Sequence, residues 1–266
     1  MNNKVVKGLQ LILVLVLIFS LGKIGLYYKD QHVYDRNEAR IEEKYRASEK
    51  AAAEDAEKDD AEDADKAATE KIAALKKDYP DLVAWIEIPG TPLSLPVVQG
   101  KDNDYYLNHD IGKSRNALGV PFMDYRNKAD FSDQNTIIYG HRVKNGKVFH
   151  PLLAYEDPEF AKTAPKIVVD TEKGRKVYEI FAAYKAGPYE DFRSVQYEGK
   201  RLAAFHTRLE KSILKGPLRW QGEKIITLQL CLGKEERMVA LWRKCKQIKR
   251  LIGKRGAFCF YNFLLD

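Results

Sequence analysis

Cysteine is scarce in this chain: Cys231, Cys245 and Cys259 are the only three in 266 residues. So low and odd a count excludes a disulfide scaffold, and it leaves at least one thiol free or paired with another chain. Zinc-like ligand spacing is missing. So are a Walker loop, a G-x-G-x-x-G turn and a Gly-x-Ser-x-Gly elbow, which leaves metal, nucleotide and serine-hydrolase chemistry without support. No internal repeat is present. A uniformly basic surface is missing too. Lys+Arg is 45 and Asp+Glu is 38, for a net charge of +7. The excess is local: Glu49 to Lys66 holds nine acids against three lysines, and Arg237 to Gly256 holds eight bases and no acid. That pattern excludes a nucleic-acid binder as the simple reading. Apolar material is plentiful, with 45% hydrophobic and 11% aromatic residues, so the chain affords a core and is not globally disordered.

The long uncharged run is at the N-terminus. Gly8 to Gly22 carries no charge, Lys4 and Lys7 precede it, and Lys23 is followed by Ile24-Gly25-Leu26-Tyr27-Tyr28. Fifteen residues fall short of the roughly 20 that a span needs, but Lys23 can snorkel, and counting on to Tyr28 gives 21 residues ending in two interfacial tyrosines. A cleaved signal peptide is the competing reading; no A-x-A-like site follows the run, which favours an uncleaved anchor over residues 1–28. Basic residues ahead of the span predict an N-terminus inside the cell and the rest outside. Residues 29–74 are polar, charged and Ala-rich, without Gly or Pro between Ala51 and Lys77. With no broad apolar stripe, they read as a solvated helical stalk, a standoff from the membrane or a mere linker, with Ile72 and Leu75 docking its last turn.

At Tyr79-Pro80 the texture changes to short β-like runs between turn residues: 82–88, 95–99, 136–139, 166–169, 177–183 and 224–232. Helical patterns fall at 149–155, 158–163 and, more clearly, 201–214. Many short strands with few helices predict a mainly β domain, closed or sandwiched, over 75–266.

Two positions invite chemistry. Cys231 closes the run Ile225-Ile226-Thr227-Leu228-Gln229-Leu230-Cys231, and Arg237 lies six residues on. That spacing suits a strand, a turn and a returning strand, with the guanidinium facing the thiol to bind a carbonyl or steady an oxyanion. The bland alternative is a small buried hydrophobe and a surface ion pair. His141 follows Thr136-Ile137-Ile138-Tyr139-Gly140 at a strand end beside a loop, well placed for proton transfer, and Gly140 would let the backbone turn sharply there. The other histidines, His32, His109, His150 and His206, read as ordinary surface or helix residues.

Taken together, the anchor, the stalk, N-T-I-I-Y-G-H at 135–141 and T-L-x-x-C at 227–231 followed by Arg237 resemble a sortase. Pro96 to Leu107 (PVVQGKDNDYYL), Phe122 to Asn127 (FMDYRN) and the helix-rich insertion before the cysteine strand are similar to class B, over roughly residues 75–240. The resemblance implies a closed eight-stranded β-barrel with N-terminal helices. It also implies a helix, 201–214, between the sixth and seventh strands, with Cys231 ending the seventh and Arg237 beginning the eighth. It implies a cysteine transpeptidase. Cys231 would attack the Thr carbonyl of a sorting signal of the Asn-Pro-x-Thr type on a surface protein. His141 would protonate the departing amine and Arg237 would hold the oxyanion. A cell-wall precursor or a pilin lysine would resolve the thioacyl-enzyme. Asn103 and Leu107 match substrate-groove residues. No metal or organic cofactor is implied.

The chain departs from the family pattern twice. Leu230 stands where the family has Thr before the cysteine, losing a hydroxyl near the thiol. The segment 237–266 turns basic after Trp242 and ends apolar and aromatic. It would pack on the barrel, touch anionic lipid, or be a non-functional extension or the product of an altered reading frame. These departures keep open a degenerate, membrane-tethered domain that binds without turnover. Another Cys/His cell-wall enzyme, such as an L,D-transpeptidase, fits the motif order and strand pattern poorly.

Overall fold

The computed structural model describes residues 3–54, 61–143, 146–187, 190, 193–214, 220, 222–231 and 236–245, with backbone alone for 49–54, 61 and 231. Two helices come first, α1 (Asn3–Glu54) and α2 (Ala61–Asp78). Eight strands follow: β1 (Leu82–Glu87), β2 (Ser94–Gln99), β3 (Phe122–Met123), β4 (Asn135–Gly140), β5 (Lys166–Thr171), β6 (Gly174–Ala186), β7 (Ile225–Cys231) and β8 (Arg237–Lys244). A short helix α3 (Pro158–Thr163) precedes β5, and α4 (Gly199–Leu209) lies between β6 and β7. The strands close into a barrel in the order β1-β2-β3-β4-β7-β8-β6-β5. β2–β3 and β4–β7 pair parallel and the other neighbours antiparallel. Closure removes free sheet edges. Because β8 pairs fully with both β6 and β7, Arg237 stands on an anchored strand.

Alternation along the strands splits the apolar residues into layers. Ile86, Val97, Ile138, Val169, Leu228, Leu230, Met238, Ala240 and Trp242 belong to the interior cluster. The outer face of β1, β2 and β4 buries Trp85, Val98, Ile137 and Tyr139 with residues of α1 and α2. The outer face of β6 and β8 buries Tyr184, Val239 and Leu241 with Phe205 and Leu209 of α4. Strands covered on both faces read as continuous apolar runs, which is why β4 is buried at all six positions.

The solvated stalk is corrected. Ile41 and Tyr45 of α1 and Ala68, Lys71, Ile72 and Leu75 of α2 are buried on the barrel wall. Tyr45 stacks on Trp85, ring centroids 4.2 Å apart. The buried positions 68, 71, 72 and 75 make a docking stripe of helical spacing, and one of its members is a charged lysine. α1 is one helix from the apolar run to Glu54, and its span of Asn3–Ser48 contains a window apolar enough to cross a membrane, entirely unburied. Asp30, two residues past Tyr28, already bonds the barrel loop at Asn116 and Ala117. Residues 30–45 of α1 and 68–75 of α2 therefore pack alongside the barrel. The unusual basic and aromatic stretch 246–266, with Cys259, lies outside the described residues. Cys245 is a free thiol raised in pKa chiefly by burial.

Candidate active site

Strand register brings the three candidate positions of the sequence to one end of the barrel. In the parallel β4–β7 pair, Gly140 sits opposite Leu230, so the chain steps next to His141 on one side and Cys231 on the other. In the antiparallel β7–β8 pair, Cys231 sits opposite Arg237. Leu230, Met238 and Ile138 belong to the barrel interior, so by alternation Arg237 continues the outer-face series of β8. His141, far from Cys231 in sequence, thus follows the rung next to the Cys231–Arg237 pair at one end of the sheet.

The His141 imidazole is fixed from outside the sheet. Its Nε2 lies 2.6 Å from the main-chain oxygen of Leu107. A carbonyl oxygen only accepts, so Nε2 carries a proton and Nδ1 is the nitrogen free to exchange one. Leu107 closes the 3-10 turn Tyr105–Leu107. Gly119 packs beneath that turn at φ 62°; a Cβ there would come within 2.5 Å of the Tyr106 oxygen and 2.8 Å of the Leu107 oxygen. Gly119→Ala is expected to destabilise the fold by about 1–3 kcal/mol, for strain at a backbone conformation that disfavours side chains. It also pushes the Leu107 carbonyl off His141. Denaturant unfolding reads the first effect, and faster solvent exchange of the His141 Nε2 proton reads the second.

Gly140 serves a different purpose from the sharp turn expected of it. It is the last residue of β4, without a positive φ, and the ring of Phe149 occupies the space above it, where a Cβ on residue 140 would overlap that ring. The Phe149 amide in turn donates to the His141 carbonyl at 3.2 Å.

Asn103 is tied at both ends of its amide. Nδ2 donates to Asp124 Oδ2 at 3.1 Å, and Oδ1 accepts from the Tyr125 amide at 3.0 Å. Asp124 is fully buried and also accepts two bonds from the Arg126 guanidinium, at 2.8 and 2.7 Å, and one from the Tyr139 hydroxyl at 2.7 Å. Burial pushes the Asp124 carboxyl up, but Arg126 and Tyr139 outweigh it and hold it below the usual carboxylate range. Tyr139 lies two residues before His141 on the same face, so Asn103 and Leu107 are both braced against the end of β4. Asp124, Arg126 and Tyr139 carry this scaffold without a chemical signal in the sequence to single them out. FMDYRN reads there as a family likeness only, since nothing in six residues tells which partner each side chain meets.

Arg237 is half-buried and donates from Nη1 to the Glu236 carbonyl at 2.8 Å. Leu230 is fully buried among interior side chains. The lost hydroxyl at 230 therefore lies on the barrel's inner face, at the position directly before Cys231. Among the described residues, no three His, Cys, Asp or Glu side chains group as metal ligands.

Comparisons with known proteins agree with this architecture. Residues 86–242 match the sequence model of the family described as Sortase domain. Sortase B of Listeria monocytogenes is 32% identical over 231 residues, 85% of this chain and 89% of that protein. Sortase B of Staphylococcus aureus is 35% identical over 125 residues, 47% of this chain and 51% of that protein. Among solved structures, a Staphylococcus aureus sortase B–substrate complex superposes with a TM-score of 0.71 at 25% identity, covering 82% of this chain and 99% of that one.

Proposed function

Since this chain belongs to the sortase family, in its class B, we propose that it is a membrane-anchored cysteine transpeptidase with Cys231, His141 and Arg237 as its working groups. The Cys231 thiolate attacks the carbonyl carbon of a threonine in a C-terminal sorting signal. The oxygen takes up the negative charge beside the Arg237 guanidinium. The C–N bond breaks, and imidazolium at His141 gives its Nδ1 proton to the departing amine. A thioester remains. An incoming amine, from a peptidoglycan precursor or a pilin lysine, attacks that thioester and loses a proton to His141, and the Cys231 thiolate departs. Asn103 and Leu107 form one wall of the substrate groove. The basic residues Lys4 and Lys7 keep the N-terminus inside the cell, with the barrel outside.

The observation that carries this reading is the register that sets Cys231 opposite Arg237 at one end of β7 and β8, with His141 directly after the Gly140–Leu230 rung of β4 and β7. It supports cooperation of His141 with a Cys231–Arg237 pair from which sequence distance alone would separate it. The alternative of binding without turnover rests on Leu230, which is buried in the barrel interior, and on the C-terminal stretch outside the described residues.

The test uses the full chain in detergent with fluorescence-quenched peptides of the Asn-Pro-x-Thr type, an amine acceptor, and mass detection of products. Cleavage after Thr and an amide joined to the acceptor are expected, both abolished by thiol alkylation. Peptide binding with no thiol-dependent product across a pentapeptide library contradicts the enzyme reading. Because one group must be deprotonated while the other is protonated, kcat/KM is expected to trace a bell against pH; a flat profile from about pH 6 to 9 speaks against the pair.

A further inference from the structure

The continuation of the membrane helix reaches the two loops that flank His141. Asp30 takes two bonds from the loop after Leu107: its main-chain oxygen accepts from Asn116 Nδ2 at 3.0 Å, and its Oδ2 accepts from the Ala117 amide at 3.3 Å. Two helical turns on, Asn37 Nδ2 donates to Asp110 Oδ2 at 3.0 Å in the same loop. Asn116 and Asp110 are both buried, so neither partner has water as a ready substitute. Between them, Asp35 pairs with Lys147 of the loop after His141. Tyr34 is buried in the same apolar cluster as Leu118, Val143 and Val148, which belong to those two loops.

The loop from 108 to 119 has its own internal ties. Asn116 donates its amide to the Asn108 carbonyl at 2.9 Å, and the Asp110 and Ser114 main chains bond at 2.8 Å. A force on Asp110, Asn116 or Ala117 is therefore passed to the residue next to Leu107, whose carbonyl holds the His141 ring. The opposite end of α1 is the candidate span, without an interruption in the helix. From Tyr28 to Asp30 the rise is only about 3 Å.

We propose that residues 30–37 of α1 are a positioning element for His141, with Asp30 and Asn37 as its positioning residues. Through them the membrane anchor sets the geometry of the reactive imidazole by way of the Leu107 carbonyl. The proposal rests on the reading of His141 as the proton-transfer group, and it deepens that reading: the site is complete only with the membrane-proximal helix seated. It also makes the tether more than an address, because displacing the helix unseats the acceptor of the His141 Nε2 proton while leaving the barrel closed.

The test compares the full chain in lipid nanodiscs with the Asp30→Ala/Asn37→Ala double variant, both labelled with 15N at histidine. In the unaltered chain, the His141 Nε2 proton is expected to be visible and slow to exchange. In the double variant it is expected to be lost to exchange, kcat for peptide cleavage to fall at least about tenfold, and KM to change less than about twofold. Asp30→Asn, which keeps an acceptor oxygen for the Ala117 amide, restores both signals when Asn37 is intact. If the double variant does not fold, Asn37→Ala alone is read in the same way. An unchanged Nε2 proton and an unchanged kcat in the variants overturn the proposal. If the proton signal moves while the unaltered chain cleaves no peptide, the helix positions His141 and the catalytic reading fails instead.

Discussion

Cys231→Ala is expected to reduce thiol-dependent peptide cleavage by at least about a thousandfold, to the level of the uncatalysed background. Alanine leaves no atom able to form the thioester, and water cannot take its place, because the acceptor amine needs an activated acyl group to attack. The size of the loss separates a nucleophile from a residue that merely shapes the groove, whose removal would cost far less. Position 231 ends β7, paired only at its Arg237 rung, so the variant is expected to unfold at the same temperature as the parent. Arg237→Lys is the informative companion. A point charge keeps the attraction for an oxyanion but loses the planar pair of donors, and an intermediate loss of roughly tenfold to a hundredfold is expected, with Arg237→Ala falling further. Equal activity of Cys231→Ala and parent removes the mechanism altogether.

Asp170→Ala is expected to cost about 3–5 kcal/mol of folding stability, a large share of the roughly 5–15 kcal/mol typical of a domain. Asp170 is fully buried and accepts from Arg175 Nε at 2.7 Å and Nη2 at 2.9 Å, and from the Tyr45 hydroxyl at 2.7 Å. The Lys71 ammonium, itself 1% exposed, sits 2.9 Å from the same carboxylate and over the Tyr45 ring. One side chain therefore ties α1, α2, β5 and β6 together. Deleting it strands the Lys71 charge in an apolar wall, and the cost is that of an uncompensated buried ion. Asp170→Leu with Lys71→Met is expected to cost less than Asp170→Ala alone, since it removes both charges and refills the space; urea unfolding of the three proteins checks the order. The same carboxylate sets an acid limit. Burial pushes it up, yet Arg175 and Lys71 hold it down at about 2, against an ordinary 3.8. A carboxyl depressed in the folded state stabilises fully above about pH 4, and that contribution, about 2 kcal/mol, is lost as pH falls toward 2. In Asp170→Asn this part of the acid dependence is expected to disappear.

Much of the barrel was legible because its strands are coated on both faces. Runs such as Ile225 to Leu230 and Asn135 to Gly140 carry apolar or β-favouring residues at nearly every position, and their bounds fell within a residue or two of β7 and β4. β3 was not legible as a strand, since two residues hold no period. β6 runs to Ala186, past the apolar run read from the sequence, because its pairing with β8 continues through the exposed Lys185 to the Ala186–Arg237 rung. The helix between β6 and β7 fell where expected, shorter at its end. The packing of α2 was hidden by chemistry: its docking stripe contains Lys71, a residue that reads as solvent-facing unless the buried Asp170, ninety-nine positions later, is known to meet it. The site shows the same division. The spacing of Cys231 and Arg237 announces a strand, a turn and a returning strand. That His141 is level with Cys231 depends on the β4–β7 register, and that Leu107 accepts from its ring depends on a loop held by α1. Neither has a local signature.

Trapping of the acyl intermediate tests the central claim most directly. The full chain is mixed with a sorting-signal peptide in the absence of acceptor, quenched in acid, and weighed intact before proteolytic mapping. A mass gain equal to the peptide segment up to Thr, labile to hydroxylamine and located on the fragment containing Cys231, is the predicted result. An adduct on Cys245 or Cys259, or cleavage with no adduct and no change after Cys231→Ala, contradicts it.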